Sequence, residues 1–271
     1  MSVKAWENGP SYIDMPRGMD SYVAPHMPDP GAVRHLDGAR EAMAWLQQAL
    51  DDAQSASGSA IADLSALDES NRELVNQVLG EGEVSVTSTG PANSKGQEST
   101  LAGVWRIFYF DDSARPTCDL LEVAPVPHVV ALATQQVKPV DSRSDGDTAN
   151  AATALPILVE LAAACEKYAA DGTEHSINLS LLPLSEEELE YIDNRLGRGP
   201  LQFLSRAYGN CEVTSTQSAN VWWVRHYNSM GKLILNLLEV VEVPAVVAAA
   251  PEDIADSAIR LGEILAPYWK D

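Results

Sequence analysis

Basic residues are scarce in this chain: 18 lysines and arginines stand against 39 aspartates and glutamates, leaving a net charge of -21. Solubility asks a small domain for only about 2–8 units of net charge. A field this negative repels nucleic-acid phosphates and anionic lipid, so neither is expected as a general partner. The acidity serves solubility alone or also steers a basic partner at low salt. Cysteine is scarcer still. Cys118, Cys165 and Cys211 lie far apart with no C-x-x-C pair, the usage of a reducing compartment where thiols pack as small apolar side chains. Long apolar runs are missing too: residues 155–165 and 243–250 reach about half of the ~20 residues that span a bilayer. Residues 1–20 carry Lys4, Glu7, Asp14 and Arg17 and no apolar segment, so they do not read as a signal peptide. The expected location is the cytoplasm, without membrane insertion.

The catalytic signatures are missing as well. There is no G-x-x-x-x-G-K-[ST] phosphate loop, no G-x-G-x-x-G, no H-E-x-x-H and no G-x-S-x-G. His26, His35, His128, His175 and His226 stand singly. His226 and Cys211 either converge as base and nucleophile or are a strand histidine and a turn cysteine. The chain is expected to be no enzyme, with no catalytic residue, no cofactor and no metal site.

What the chain does hold, it holds twice. Leu79-Gly80-Glu81-Gly82 returns as Leu196-Gly197-Arg198-Gly199, Val104-Trp105 as Val221-Trp222, Leu121-Glu122-Val123 as Leu238-Glu239-Val240, and Val126-Pro127 as Val243-Pro244. Each pair is 117 positions apart, so the chain is an internal duplication. The expected fold class is α+β: two tandem units, each a small antiparallel sheet with helices on one face, related by a pseudo-two-fold. The divisions are an N-terminal arm over 1–32, a first repeat over 33–137, a linker over 138–152 and a second repeat over 153–271.

The arm holds Pro10, Pro16, Pro25, Pro28 and Pro30, which forbid helix, interleaved with Tyr12, Ile13, Met15, Met19, Tyr22, Val23 and Met27; it is a strap over the body or a docking arm. Apolar spacing predicts helices over 32–52 and 69–79, the latter closed by Gly80. Strands are expected from 84, over 104–110 and over 120–123, with 90–97 a loop. In the second copy the expectations are a helix over 155–170, a strand through Ile177, Leu179 and Leu181, and a helix from Ser185 with Glu188 completing a capping box. Strands follow at 201–203, 213–216, 221–227 and 233–241, with Tyr208-Gly209-Asn210 a turn. Only this copy ends in a long helix, 252–268. Aromatic residues make up 6% of the chain but gather at 105–110 and 222–227, so Trp105 and Trp222 are expected to seat the sheets.

One stretch runs against the acidic background. Residues 195–232 carry Arg195, Arg198, Arg206, Arg225 and Lys232 against the single Glu212, a net of +4, whereas the corresponding 78–115 comes to -2. Either the arginines pair with nearby carboxylates, or the second copy has diverged into a partner-binding face. The candidate face takes in Arg198, Arg206, Tyr208, Asn210, Cys211, Arg225 and Tyr227.

Leu-Gly-Arg-Gly-Pro at 196–200, Tyr-Gly-Asn-Cys at 208–211, Thr-Ser-Thr at 214–216, Val-Trp-Trp-Val at 221–224, Tyr-Asn-Ser-Met at 227–230 and Ala-Pro-Glu-Asp-Ile-Ala-Asp-Ser-Ala at 250–258 together resemble the HupH/HyaF (HoxQ) family of hydrogenase expression proteins. So does Met-Pro-x-x-Met at 15–19. The resemblance implies an accessory role in maturing an uptake nickel–iron hydrogenase: a chaperone-like protein that holds the iron–sulfur small-subunit precursor before assembly and export, beside a thioredoxin-like accessory protein. It supplies no catalytic residues. Two other readings stay open: delivery or protection of an iron–sulfur cluster through a cysteine such as Cys211, against which three isolated thiols count, and a scaffold for other maturation proteins.

Overall fold

The computed structural model describes residues 28–53, 59–133, 138–143, 153–206 and 209–269. Apart from its last residues, the arm lies outside them, as do Tyr208 and most of the linker.

In chain order the first copy runs α1 (Pro30–Val33), α2 (Asp37–Ala53), β1 (Ala60–Asp63), α3 (Glu69–Leu79), β2 (Val84–Ser88), β3 (Ser94–Glu98), β4 (Val104–Phe110), β5 (Pro116–Val123) and α4 (Val129–Ala133). The second runs α5 (Ala154–Asp171), β6 (His175–Asn178), α6 (Glu186–Leu196), β7 (Arg198–Ser205), β8 (Asn210–Thr216), β9 (Val221–Tyr227), β10 (Leu233–Val240) and α7 (Pro251–Leu265). The ten strands form one antiparallel sheet ordered β1-β5-β4-β3-β2-β7-β8-β9-β10-β6. Read from either end, it is the same five-strand unit. The units join where β2 pairs with β7, and there Val86 faces Phe203, two residues separated by the repeat offset. The pseudo-two-fold passes between them.

Strand alternation sends successive side chains to opposite faces. Val104, Leu121 and Val123 point under α2 and α3, joined there by Ile254, Ala258 and Leu261 of α7. Val221, Trp223, Leu238 and Val240 point under α5 and α6. The opposite face carries a central apolar stripe containing Trp105, Ile107, Phe203, Val213, Trp222 and Val224, capped by Val130 of α4 and Val247. All the longer helices therefore share one face. The last helix of the chain completes the core of the first copy.

Two helix ends follow directly from sequence. Ser185 accepts a bond from Glu188 N while the Glu188 carboxylate accepts from Ser185 N, which is the anticipated capping box. Gly80 and Gly197 end α3 and α6 with φ of 59° and 62°, a region that penalises any residue with a Cβ.

Several expectations are corrected. The helix expected over 32–52 is interrupted between Val33 and Asp37. The approach to α3 holds β1, a four-residue edge strand paired with β5, too short to show a period. The loop expected at 90–97 becomes β3 in its second half. Its polar composition misled because its neighbours supply the apolar contacts: a Cβ on Gly96 would lie 2.3 Å from Ile107 Cδ1 and 2.7 Å from Val86 Cγ1. β5 starts four residues earlier than expected, at Pro116, and α4 was not anticipated. β6 ends at Asn178 and gives way to a 3-10 turn over Leu179–Leu181, which leaves Leu181 79% exposed. Asn210 opens β8 instead of sitting in a turn.

Candidate functional site

Two arginines of the basic stretch, Arg198 and Arg225, meet at the seam between the copies. α6 stops at Leu196, Gly197 redirects the chain, and β7 begins with a register shift between Arg198 and Gln202 against β8. The shift brings the strands so close that a Cβ on Gly199 would lie 2.3 Å from Ser215 Oγ and 2.5 Å from Thr216 O. Beside it opens a pocket of about 240 Å³, bounded by Arg198, Gln202, Thr214, Trp223 and Arg225 of the second copy and by Ser88 and Lys95 of the first.

Arg198 lies 3.8 Å from Asp193, with about half its side chain exposed. Arg225 stacks its guanidinium 4.4 Å over the Trp223 ring and lies 3.9 Å from Glu212. Glu212 in turn accepts from Gln202 Nε2 at 2.7 Å and from the Tyr227 hydroxyl at 3.3 Å. Burial, reinforced by the Glu212 charge, pushes the Tyr227 phenol up to about 12, so Tyr227 acts as a neutral donor. One hydroxyl on the pocket wall, Thr214 Oγ1, is buried and has no hydrogen-bond partner.

The candidate face is thus divided. Arg198 and Arg225 meet in the pocket, with Tyr227 joined to them through Glu212. Asn210 pairs with Tyr227 across the ladder. Arg206 is anchored by its backbone N–H to Glu83 O at 3.0 Å and does not line the pocket. Arg195 is structural: it lies 3.1 Å from Asp141 and stacks over Tyr191. Cys211 points to the opposite face, among Phe203, Trp222 and Val213. It does meet His226, with Sγ 3.8 Å from Nε2. Burial first, then Glu239 and Glu212, push its thiol up to about 12, whereas nucleophiles and metal ligands act as thiolates. Iodoacetamide should therefore label Cys211 far more slowly than the partly exposed Cys118 at pH 8, as peptide mapping will show. No group of three or more metal-ligating side chains occurs among the described residues, and no helix among them is long and apolar enough to cross a membrane.

Sequence reasoning missed Lys95, Asp193, Thr214 and Trp223. The repeat offset held the signal for three of them: Asp193, Thr214 and Trp223 stand where the first copy has Asn76, Gln97 and Arg106.

A second, acidic pocket of about 640 Å³ takes in Glu81, Glu83, Glu98 and Asp253, with Arg260 at its rim. Burial, opposed by the Gly103 N–H and reinforced by Glu83 and Asp253, raises the Glu98 carboxyl from 4.5 to about 7. A carboxyl raised on folding contributes stability that is complete below its unfolded pKa and lost as pH rises through the folded one. Between about pH 4.5 and 8 this group should cost the fold roughly 1–3 kcal/mol. Glu98→Gln, which keeps an acceptor for Gly103, should remove that slope and be the more stable protein at pH 8 by urea unfolding. An unchanged slope would refute the assignment.

With this geometry in place, comparison with known proteins gives the family. The family described as "HupH hydrogenase expression protein, C-terminal conserved region" matches residues 37–145 and again 151–268. The chain belongs to the HupH family and carries its conserved region twice. It is 38% identical over 263 residues to the hydrogenase expression/formation protein HoxQ of Azotobacter vinelandii, covering 95% of this chain and 92% of that one. It is 37% identical to the hydrogenase expression/formation protein HupH of Rhodobacter capsulatus, covering 94% and 90%, and 34% identical to the hydrogenase-1 operon protein HyaF of Escherichia coli, covering 81% and 77%. Among solved structures, the hydrogenase expression protein HupH from Thiobacillus denitrificans is 32% identical, with a TM-score of 0.40, over 42% of this chain and 94% of that one.

Proposed function

We propose that this chain acts in hydrogenase maturation as a non-catalytic holding protein. Its client is the iron–sulfur small-subunit precursor of an uptake nickel–iron hydrogenase, kept in the cytoplasm until assembly and export, and a thioredoxin-like accessory protein works beside it. The observation that carries the reading is the family match across both repeats, since the relatives in question are named hydrogenase expression/formation proteins. The seam pocket is a candidate place for the client: there the second copy has Arg198 for Glu81 and Ser215 for Glu98, although it also has Glu212 for Lys95. Charge complementarity of this kind mainly speeds association.

Reversing Arg198 and Arg206 to Glu tests the basic face. Exposed charge pairs contribute only about 0–1 kcal/mol, so the double variant should melt close to wild type. It should also recover much less small-subunit precursor in co-purification. Undiminished recovery would rule the face out. Cluster delivery through Cys211 is the competing reading, and the buried, protonated thiol speaks against it. Cys211→Ser should leave capture of the precursor intact.

A further inference from the structure

The two copies treat one position on their shared plan in opposite ways. In the first copy the Gln97 side chain reaches to the start of the neighbouring strand β2, and its amide donates to Gly82 O and Val84 O there and to Glu98 O on its own strand, each at 3.1 Å. The equivalents of these residues, Thr214, Gly199, Leu201 and Ser215, all line the seam pocket. Thr214 is two heavy atoms shorter than Gln97 and carries no amide. Part of the lost bonding is replaced internally, because Ser215 Oγ accepts from Leu201 N at 3.0 Å and donates to Leu201 O at 3.3 Å. What remains is a space a side chain would fill. On its wall is the Thr214 hydroxyl, buried and without a partner. A buried hydroxyl left unsatisfied costs about 1–3 kcal/mol, and a cost retained where the second copy has lost the Gln97 amide points to a ligand.

The groups around the space decide its class. The Thr214 hydroxyl can donate, and Arg198, Arg225 and Lys95 place three cations on the wall. Two carboxylates offset part of this charge, Asp193 beside Arg198 and Glu212 beside Arg225, Gln202 and Tyr227, and leave the wall with one cation in excess. A chain of net charge -21 repels a polyanion over most of its surface, but a single carboxylate entering here meets only the local field.

We propose that the seam pocket is a receptor for one acidic side chain, aspartate or glutamate, presented by a protein partner, which occupies the place that Gln97 fills for itself in the first copy. The identity of that partner rests on the holding function proposed above; the pocket chemistry does not.

The test is to fill the pocket from within. Thr214→Gln installs the residue the first copy uses, opposite a glycine that is already present at 199. The full-length protein and this variant are titrated with the peptide Ac-Gly-Gly-Glu-Gly-Gly-NH2, and with its Gln and Lys counterparts, while the Trp223 indole N–H is followed by NMR. The glutamate peptide should shift that signal in wild type at millimolar concentration, and the shift should weaken with salt. Thr214→Gln should lower the affinity at least tenfold, and Arg198→Gln, at a half-exposed site, should lower it also. If Thr214→Gln fails to fold, Arg198→Gln alone decides. Equal or tighter binding of the Gln or Lys peptide, no shift with any peptide, or unchanged binding by the folded variants would overturn the proposal. Glutamate-peptide binding with no small-subunit precursor recovered by the wild-type protein would defeat the holding function and leave the receptor standing.

Discussion

Trp222→Ala is expected to cost about 3–5 kcal/mol of folding stability, the range for deleting a fully buried tryptophan. Trp222 is 1% exposed. Its ring lies tilted at 59° against Phe203, with 6.3 Å between centroids, and Phe203 sits on the pseudo-two-fold across from Val86. Its indole N–H donates to Val241 O and Glu242 O, both at 3.2 Å. The substitution thus opens a cavity next to the seam and strips the donor that ties the end of β10 to the central stripe. Because one sheet joins both copies, the loss should appear as a single cooperative transition with a lower midpoint, seen alike in urea by tryptophan fluorescence and by circular dichroism. A loss below about 1 kcal/mol would mean that the site collapses freely and that Trp222 is not a keystone of the stripe. Trp105, its equivalent, is fully buried and donates to Ala124 O at 3.1 Å. Trp105→Ala should therefore behave the same way.

The second large effect is expected at Asp119. Arg106 and Asp119 are 7% exposed each and form a bidentate pair, Nε to Oδ1 and Nη2 to Oδ2, the latter at 2.6 Å. Arg106 Nη1 also donates to Asn76 Oδ1 at 2.8 Å. Removing one partner of such a pair strands the other charge in the core, at about 3–5 kcal/mol, so Asp119→Ala should be as damaging as the loss of a tryptophan. The second copy shows another solution at the equivalent positions: Trp223 donates its indole N–H to Asn236 Oδ1, with no buried charge. The double variant Arg106→Trp/Asp119→Asn should accordingly be more stable than Asp119→Ala alone in urea unfolding. A double variant no better than the single one would show that the first-copy helices have no room for the neutral pair.

The duplication and its consequences were legible in the sequence because period and punctuation agree in both copies. Gly80 and Gly197 close matching helices, Ser185 and Glu188 form the box their spacing promises, and Trp105 and Trp222 both reach the core. What was not legible depended on neighbours. β3 is polar along its length and becomes a strand only because Val86 and Ile107 close over Gly96. β1 is a four-residue edge held by β5. The fusion of two sheets through β2 and β7 leaves no local mark, since both strands would alternate in the same way at a free edge. The candidate site was half visible. The excess of arginine singled out Arg198 and Arg225, but composition cannot tell which face of a strand a residue takes. Cys211 therefore entered the list although it lies opposite to Arg225, and Lys95, from the other copy, did not.

The most direct measurement is the recovery of a tagged form of this protein from cells expressing a hydrogenase operon at low oxygen, with the bound proteins identified and iron quantified. Unprocessed small subunit in the eluate, with no iron on the tagged protein itself, is the result the holding function predicts. Iron retained by the tagged protein alone, with no small subunit beside it, would contradict that function and make cluster delivery the better account.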